Sequence, residues 1–406
     1  MRITAVFACA LVSLLLVMAP CRAQESTVDE KVAKAGTVSA GNLDFSLRLF
    51  HRLATATPGQ NIVISPLSIS QALSMACNGA AGETQSEMMQ TLGFRKLSLD
   101  AVNAGQSALL DLSLNPGSGV TLNIANALWL QHDHLFVPDY LQRMQQSYHA
   151  QLTKTDLHAP ATVDMINNWA SDQTHGMIKY VISPGDIKTN TELLLTNAVY
   201  FKGIWSMQFD KANTRSDNFT LQNGTTAPVS MMNQTARFQY WETREMQSIS
   251  LPYGADERFC FLIFLPRQGY SLPDIFRQLD SNNWNYEWKL CQIKLPRFST
   301  NYQTKLVPPL TDLGMQKAFI PGLADFAGMT GIRGDLYLDA VLHITRLEVD
   351  EEGTRATAVT AITGGSIGIP RPPKIIPVIV DHPFYFALYD STTDAILFMG
   401  QIVDPR

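Results

Sequence analysis

Apolar residues recur three and four apart through the first third of the chain, then run together or alternate, so helices precede strands. Leu43, Leu47, Phe50 and Leu53 stand at helical spacing behind Asn42, whose short amide suits an N-cap. Ser65 followed by Pro66 is a cap with proline in the first turn, and the helix it opens can run to a stop at Asn78-Gly79. Thr84 with Glu87 three residues on reads as a capping box, for a helix ending at Gly93. The period then changes. The stretches 193–201 and 259–265 are short, nearly continuous apolar runs, expected of strands covered on both faces. Val341, His343, Thr345, Leu347 and Val349 alternate with Leu342, Ile344, Arg346, Glu348 and Asp350, which predicts a strand with His343 on its more aliphatic face. Helices first and strands later imply an α+β fold rather than βαβ winding.

Composition narrows the function. With 46% hydrophobic and 17% charged residues the chain is too apolar for disorder. A balance of 31 Lys+Arg against 36 Asp+Glu, net −5, argues against a protein that grips nucleic acid. No repeat or Gly/Ser linker divides it. Arg2 precedes an apolar run from Ala5 to Met18, interrupted by Ser13 and ended by Pro20. The run is short for a bilayer span and reads as a secretory signal leaving after Ala23, with 24–406 as a single exported domain and no transmembrane segment. Lipid attachment at Cys21 is the weaker alternative, because Pro20 stands where a small residue is wanted.

Cys77, Cys260 and Cys291 then remain, an odd number with no CxxC pair, which excludes a dense disulfide framework and reads as small apolar residues in a core. His132 and His134 flank Asp133, a triple that could touch a metal but at this spacing on a polar loop reads as solvated. No metal or cofactor is expected. His343 tempts a catalytic role, yet a lone histidine on an apolar strand face is usually a hydrogen-bonded core residue. GxSxG, GxxxxGK[ST] and GxGxxG loops are all missing. No catalytic residue is assigned.

The informative stretch is Glu351 to Ala361, small residues directly after a strand. Thr and Val favour strands, and no proline occurs for seventeen residues after Glu352, so every N–H there can join a ladder. This loop could become a strand.

Several motifs in order now resemble the serpin family across essentially the whole exported chain. Asn61 to Ser70 and Gly79 to Thr84 are similar to its amino-terminal helices, Thr196 to Trp205 to the central strand of its large sheet, Asp381-His382-Pro383-Phe384 to its carboxy-terminal signature, and Leu397 to Gly400 to its last strand. The resemblance implies about nine helices, three β-sheets and a reactive-centre loop at about 351–377. It implies a secreted, metastable suicide inhibitor whose partner is a serine protease. The protease cuts the loop as substrate, and the freed loop inserts into the large sheet before the acyl-enzyme is hydrolysed.

The hinge would be Glu351, Glu352, Gly353, Thr354, Arg355, Ala356, Thr357, Ala358, Val359 and Thr360. Carrying over the family's inward positions gives Thr354, Ala356, Ala358 and Thr360, all small, while Arg355 replaces the usual Glu at an outward position. Ser65, Ser68, Asn197 and His343 fall in the shutter and Trp205 in the breach where insertion begins. Family spacing puts the reactive bond at Ile367-Gly368, which suits an elastase-like or subtilisin-like protease. Arg371 is the basic alternative, disfavoured by Pro372. A monomer without a heparin-like cofactor is expected. Asn218, Asn223 and Asn233 open possible glycan sites, and a non-inhibitory carrier or chaperone is the competing function.

Overall fold

The computed structural model describes residues 8–406 apart from 115, 118, 190, 280–283 and 353–373, with side chains from residue 28. Among the described residues there are nine α-helices: α1 (Ala8–Ala56), α2 (Pro66–Gly79), α3 (Gly82–Thr91), α4 (Leu99–Ser113), α5 (Pro138–Tyr148), α6 (Pro160–Gln173), α7 (Leu272–Phe276), α8 (Val307–Asp312) and α9 (Ala327–Thr330). The strands are β1 (Ile62–Ile64), β2 (Val120–Gln131), β3 (Gln151–Thr155), β4 (Leu193–Gly203), β5 (Arg215–Thr220), β6 (Thr226–Glu242), β7 (Met246–Tyr253), β8 (Phe259–Pro266), β9 (Glu287–Pro296), β10 (Phe298–Lys305), β11 (Leu342–Val349), β12 (Ile376–Ile379), β13 (Phe384–Asp390) and β14 (Ala395–Ile402).

They form three sheets: β3-β2-β4, the pair β10-β11, and nine strands in the order β1-β14-β13-β8-β7-β6-β9-β12 with β5 on β6. β4 pairs antiparallel with β2 from Leu193↔Leu130 to Gly203↔Val120, and β11 with β10 from Leu342↔Lys305 to Val349↔Phe298. The large core lies between the nine-stranded sheet, the helical layer of α1, α2 and α4, and the inner faces of the small sheets. A second, smaller core joins Trp129, Ile166, Trp169, Leu194 and Ala198 with Ile344. The side chains beneath α6 therefore come from both β4 and β11, placing the two strands side by side under one helix.

The strands at 193–201 and 259–265 form where the apolar runs predict them. β8 is buried on both faces, but β4 is not: Leu194, Thr196 and Ala198 are buried, whereas Leu193, Leu195 and Asn197 are half-buried. The physical reason is that β4 is a sheet edge. On β11, His343, Thr345, Leu347 and Val349 are all buried, as the alternation predicts.

Two caps differ from expectation. Asn42 does not start a helix; it lies inside α1, buried, with its Oδ1 accepting from Ser70 Oγ at 2.6 Å. The helix continues upstream because Ala35 and Val38 pack into the core, Val38 so close to Gly105 of α4 that a Cβ there would lie 2.7 Å from it. Thr84 and Glu87 do not form a capping box either. α3 begins at Gly82, Thr84 Oγ1 accepts from the amide of Asp325, and Glu87 Oε2 accepts from the amides of Gln316 and Lys317. Both side chains serve another segment's free amides. Gly93, with φ +79°, follows that helix where a left-handed residue is needed. Cys77 and Cys291 are buried, Cys260 is half-buried, and none of the three is in a disulfide.

Candidate functional site

β4 and β11 face each other with no ladder between them among the described residues. Their starts line one small cavity of about 30 Å³, through Leu195 and Asn197 on one side and Leu342 and His343 on the other. Their ends line a second cavity of about 210 Å³, through Tyr200 to Gly203 on one side and Arg346, Glu348 and Val349 on the other. The two strands thus run in the same direction, and among the described residues no backbone pairing crosses the seam between them.

The lower seam is closed by polar side chains in apolar surroundings. His343 Nε2 accepts the backbone N–H of Ser65 at 3.0 Å, and Thr345 Oγ1 donates to Val63 O at 2.6 Å, so β11 is tied to the entry of α2 and to β1. Burial pushes the His343 ring down to about 3, which keeps it neutral and able to accept. On β4, Asn197 Nδ2 donates to Asn126 Oδ1 at 2.7 Å, and Asn126 donates to Tyr148 O. Ser68 Oγ and Asn197 Oδ1 are buried with no hydrogen-bond partner, and both residues line the 30 Å³ cavity. Among the described residues these two polar atoms have no partner, an arrangement that costs stability. Ser65, Ser68, Asn197 and His343 lie together at this place.

A pH dependence follows. The His343 ring is depressed from 6.5 to about 3 in the folded protein, so unfolding takes up a proton below pH 6.5. Its contribution to stability is complete above pH 6.5 and is lost as pH falls towards 3, about 3 kcal/mol by pH 4. Urea unfolding between pH 7 and 4 should show a shallower pH slope in His343→Asn than in the native sequence; equal slopes would contradict this.

At the upper end, Trp205 stacks on Tyr253, centroids 4.1 Å apart, and its Nε1 donates to Asp350 O at 2.8 Å. The indole therefore ties Asp350, just past β11, to the turn after β4 and, through Tyr253, to β7. Glu351, 4% exposed, accepts from Thr214 Oγ1 at 2.7 Å and lies 3.8 Å from Arg297 Nη1. Glu352 pairs with Lys211. Glu351 and Glu352 are thus latched by three side chains from two other segments, at the rim of a cleft of about 900 Å³.

Gly353, Thr354, Arg355, Ala356, Thr357, Ala358, Val359, Thr360, Ile367 and Gly368 lie outside the described residues. Sequence reasoning missed Thr345, Asn126, Tyr253, Thr214, Arg297 and Lys211. Thr345 shares His343's strand face and was open to a parity argument; the others come from distant segments and carry no local signal. His134, from the candidate metal triple, instead faces Glu192 and Asp335. No group of three or more His, Cys, Asp or Glu among the described residues is arranged to hold a metal ion.

Among the described residues, then, β4 and β11 lie side by side without a ladder between them, and the chain after β11 is tied down at Asp350, Glu351 and Glu352. The chain belongs to the serpin family: the model for Serpin (serine protease inhibitor) matches residues 40–405. Leukocyte elastase inhibitor A of Mus musculus is 34% identical over 91% of this chain and 99% of its own length. The native thermophilic serpin tengpin is 30% identical with a TM-score of 0.78, covering 90% of this chain and 94% of its own. Human thyroxine-binding globulin, solved with thyroxine, is 27% identical with a TM-score of 0.80, covering 92% and 99%. The fold is the serpin fold, and serpins include both inhibitors and carriers.

Proposed function

We propose that this chain is a secreted, monomeric suicide-substrate inhibitor of an elastase-like or subtilisin-like serine protease, cut at Ile367-Gly368. Residues 1–23 would direct export. The observation that supports the reading is the seam between β4 and β11, which no ladder closes among the described residues, with the chain leaving from Glu352 at its upper end. The freed loop would turn at Gly353 and run antiparallel to both edges, pairing with β4 on one side and β11 on the other. Fourteen extended residues, Thr354 to Ile367, would span roughly 46 Å, enough to carry an attached protease to the opposite pole. There the distortion of its oxyanion hole and triad would stop deacylation.

The carrier reading has support in the likeness to thyroxine-binding globulin. Small inward residues at Thr354, Ala356, Ala358 and Thr360 favour inhibition, since a carrier does not require an insertable hinge.

Incubation with an elastase-like and a subtilisin-like protease should give a covalent complex that survives denaturant. The released carboxy-terminal peptide should begin at Gly368. Plain cleavage without complex would favour the carrier, and a peptide starting at Ile369 or Pro372 would contradict the assigned bond.

A further inference from the structure

We propose that a cavity of about 310 Å³ between α1 and the turn joining β13 to β14 is a binding site for a small aralkylammonium ion. The cavity shares no lining residue with either cavity of the seam, so the proposal goes beyond the inhibitor reading and does not depend on it. All of its lining residues are among the described ones.

One wall is a face of α1, where Gly36, Ala40 and Leu43 fall at helical spacing. The first two carry no side chain beyond a methyl group, which leaves a trough along the helix. The facing wall is a corner of two half-buried rings, Trp284 and Tyr389, with centroids 6.5 Å apart and planes at 74°. Ile396 and Leu43 complete the apolar lining. At the rim stands Asp394, exposed, the one charged residue of the lining. Its Oδ1 accepts from the Tyr389 hydroxyl, whereas Oδ2 takes no hydrogen bond and the carboxylate pairs with no cation among the described residues.

The site is built before any ligand arrives. Ser39 Oγ donates to Thr393 O at 2.7 Å and holds α1 against the turn. Asp390, buried, accepts from Arg258 at 2.7 and 2.6 Å and from Thr393 Oγ1 at 2.7 Å, which fixes the turn from the other side. The β13–β14 register shifts between Leu388 and Tyr389, and irregularities of this kind re-aim a side chain. A frame held in this way spares the ligand the cost of ordering it. Gly36 and Ser39 stand upstream of residues 40–405, the stretch that the family model matches, so part of one wall lies outside the shared pattern.

The lining selects by charge and by shape. An ammonium group would pair with Asp394 Oδ2 beside two electron-rich rings, both of which attract a cation. The ligand's own ring would enter the corner, which offers the tilted and edge-on contacts that aromatic pairs prefer. The volume is at the small end for ligand sites and admits one ring on a short arm. A neutral analogue keeps the ring contacts and loses the ion pair.

Titration calorimetry of the full-length protein with phenethylammonium chloride tests the site. The dissociation constant should be on the order of 100 μM, and 2-phenylethanol, the neutral analogue, should bind at least about fivefold more weakly. Asp394→Asn removes the charge at a left-handed position, φ +56°, that asparagine tolerates. It should bring phenethylammonium to within about twofold of the alcohol and leave the alcohol unchanged. Gly36→Leu should abolish binding of both by filling the trough; a Cβ at Gly36 meets nothing within 4 Å, so its melting temperature should not fall. Equal affinities for the amine and the alcohol, or binding that survives Gly36→Leu in the folded variant, would overturn the proposal. So would the absence of any phenethylammonium binding up to about 5 mM.

Discussion

Ala356→Asp should convert the protein from inhibitor to substrate. The stoichiometry of inhibition should rise from near one to on the order of ten or more, with the rate of loop cleavage little changed. Position 356 has inward parity in the inserted strand, so an aspartate there must enter the space between sheet and helices without a cation to pair with. Burying an unpaired carboxylate costs several kcal/mol, and on the proposed mechanism that cost falls on the insertion step. A delay of about 2.7 kcal/mol is a hundredfold slowing, ample for deacylation to win. Arg355→Glu is the control: with outward parity, it should leave the stoichiometry within about twofold. Titration of a fixed amount of protease against each variant measures this. Equal stoichiometries for Ala356→Asp and the native sequence would show that inward parity does not govern trapping.

Much of this architecture is legible in local pattern. The run at 259–265 becomes β8 because burial on both faces leaves an unbroken apolar stretch, and the alternation from Val341 to Asp350 becomes β11 because a pleated strand with one more buried face leaves a period of two. Motif resemblance places Ser65, Ser68, Asn197 and His343, and they do meet. The misreadings share one cause. Asn42, Thr84 and Glu87 have the side chains of local caps, but each is recruited by a distant segment: Ser70, Asp325, and the amides at Gln316 and Lys317. The seam was hidden for the same reason, since whether two strands pair is a property of neither strand alone. The latch on Glu351 and Glu352 is likewise invisible in sequence, drawing Thr214, Arg297 and Lys211 from segments far upstream.

Nicking the loop should make the protein more stable, the reverse of what cutting a chain ordinarily does. About a dozen newly paired residues, at roughly 0.5–1.5 kcal/mol per net hydrogen bond, release on the order of 10 kcal/mol. That is comparable with the whole stability of an ordinary domain, so the intact form must persist behind a barrier. On the proposed reading, the contacts of His343 with Ser65, Trp205 with Asp350, and Glu351 with Thr214 would supply part of that barrier. Unfolding entropy near 2.1 cal/mol/K per residue gives about 0.8 kcal/mol/K for a chain of this length, and hence a rise of roughly 12 °C. The comparison is made on one preparation, half left intact and half cut between Thr360 and Pro370 by a protease that is not trapped. Melting of the cut half at least about 10 °C above the intact half is what stored conformational energy requires; coincident melting curves would mean that no such store exists.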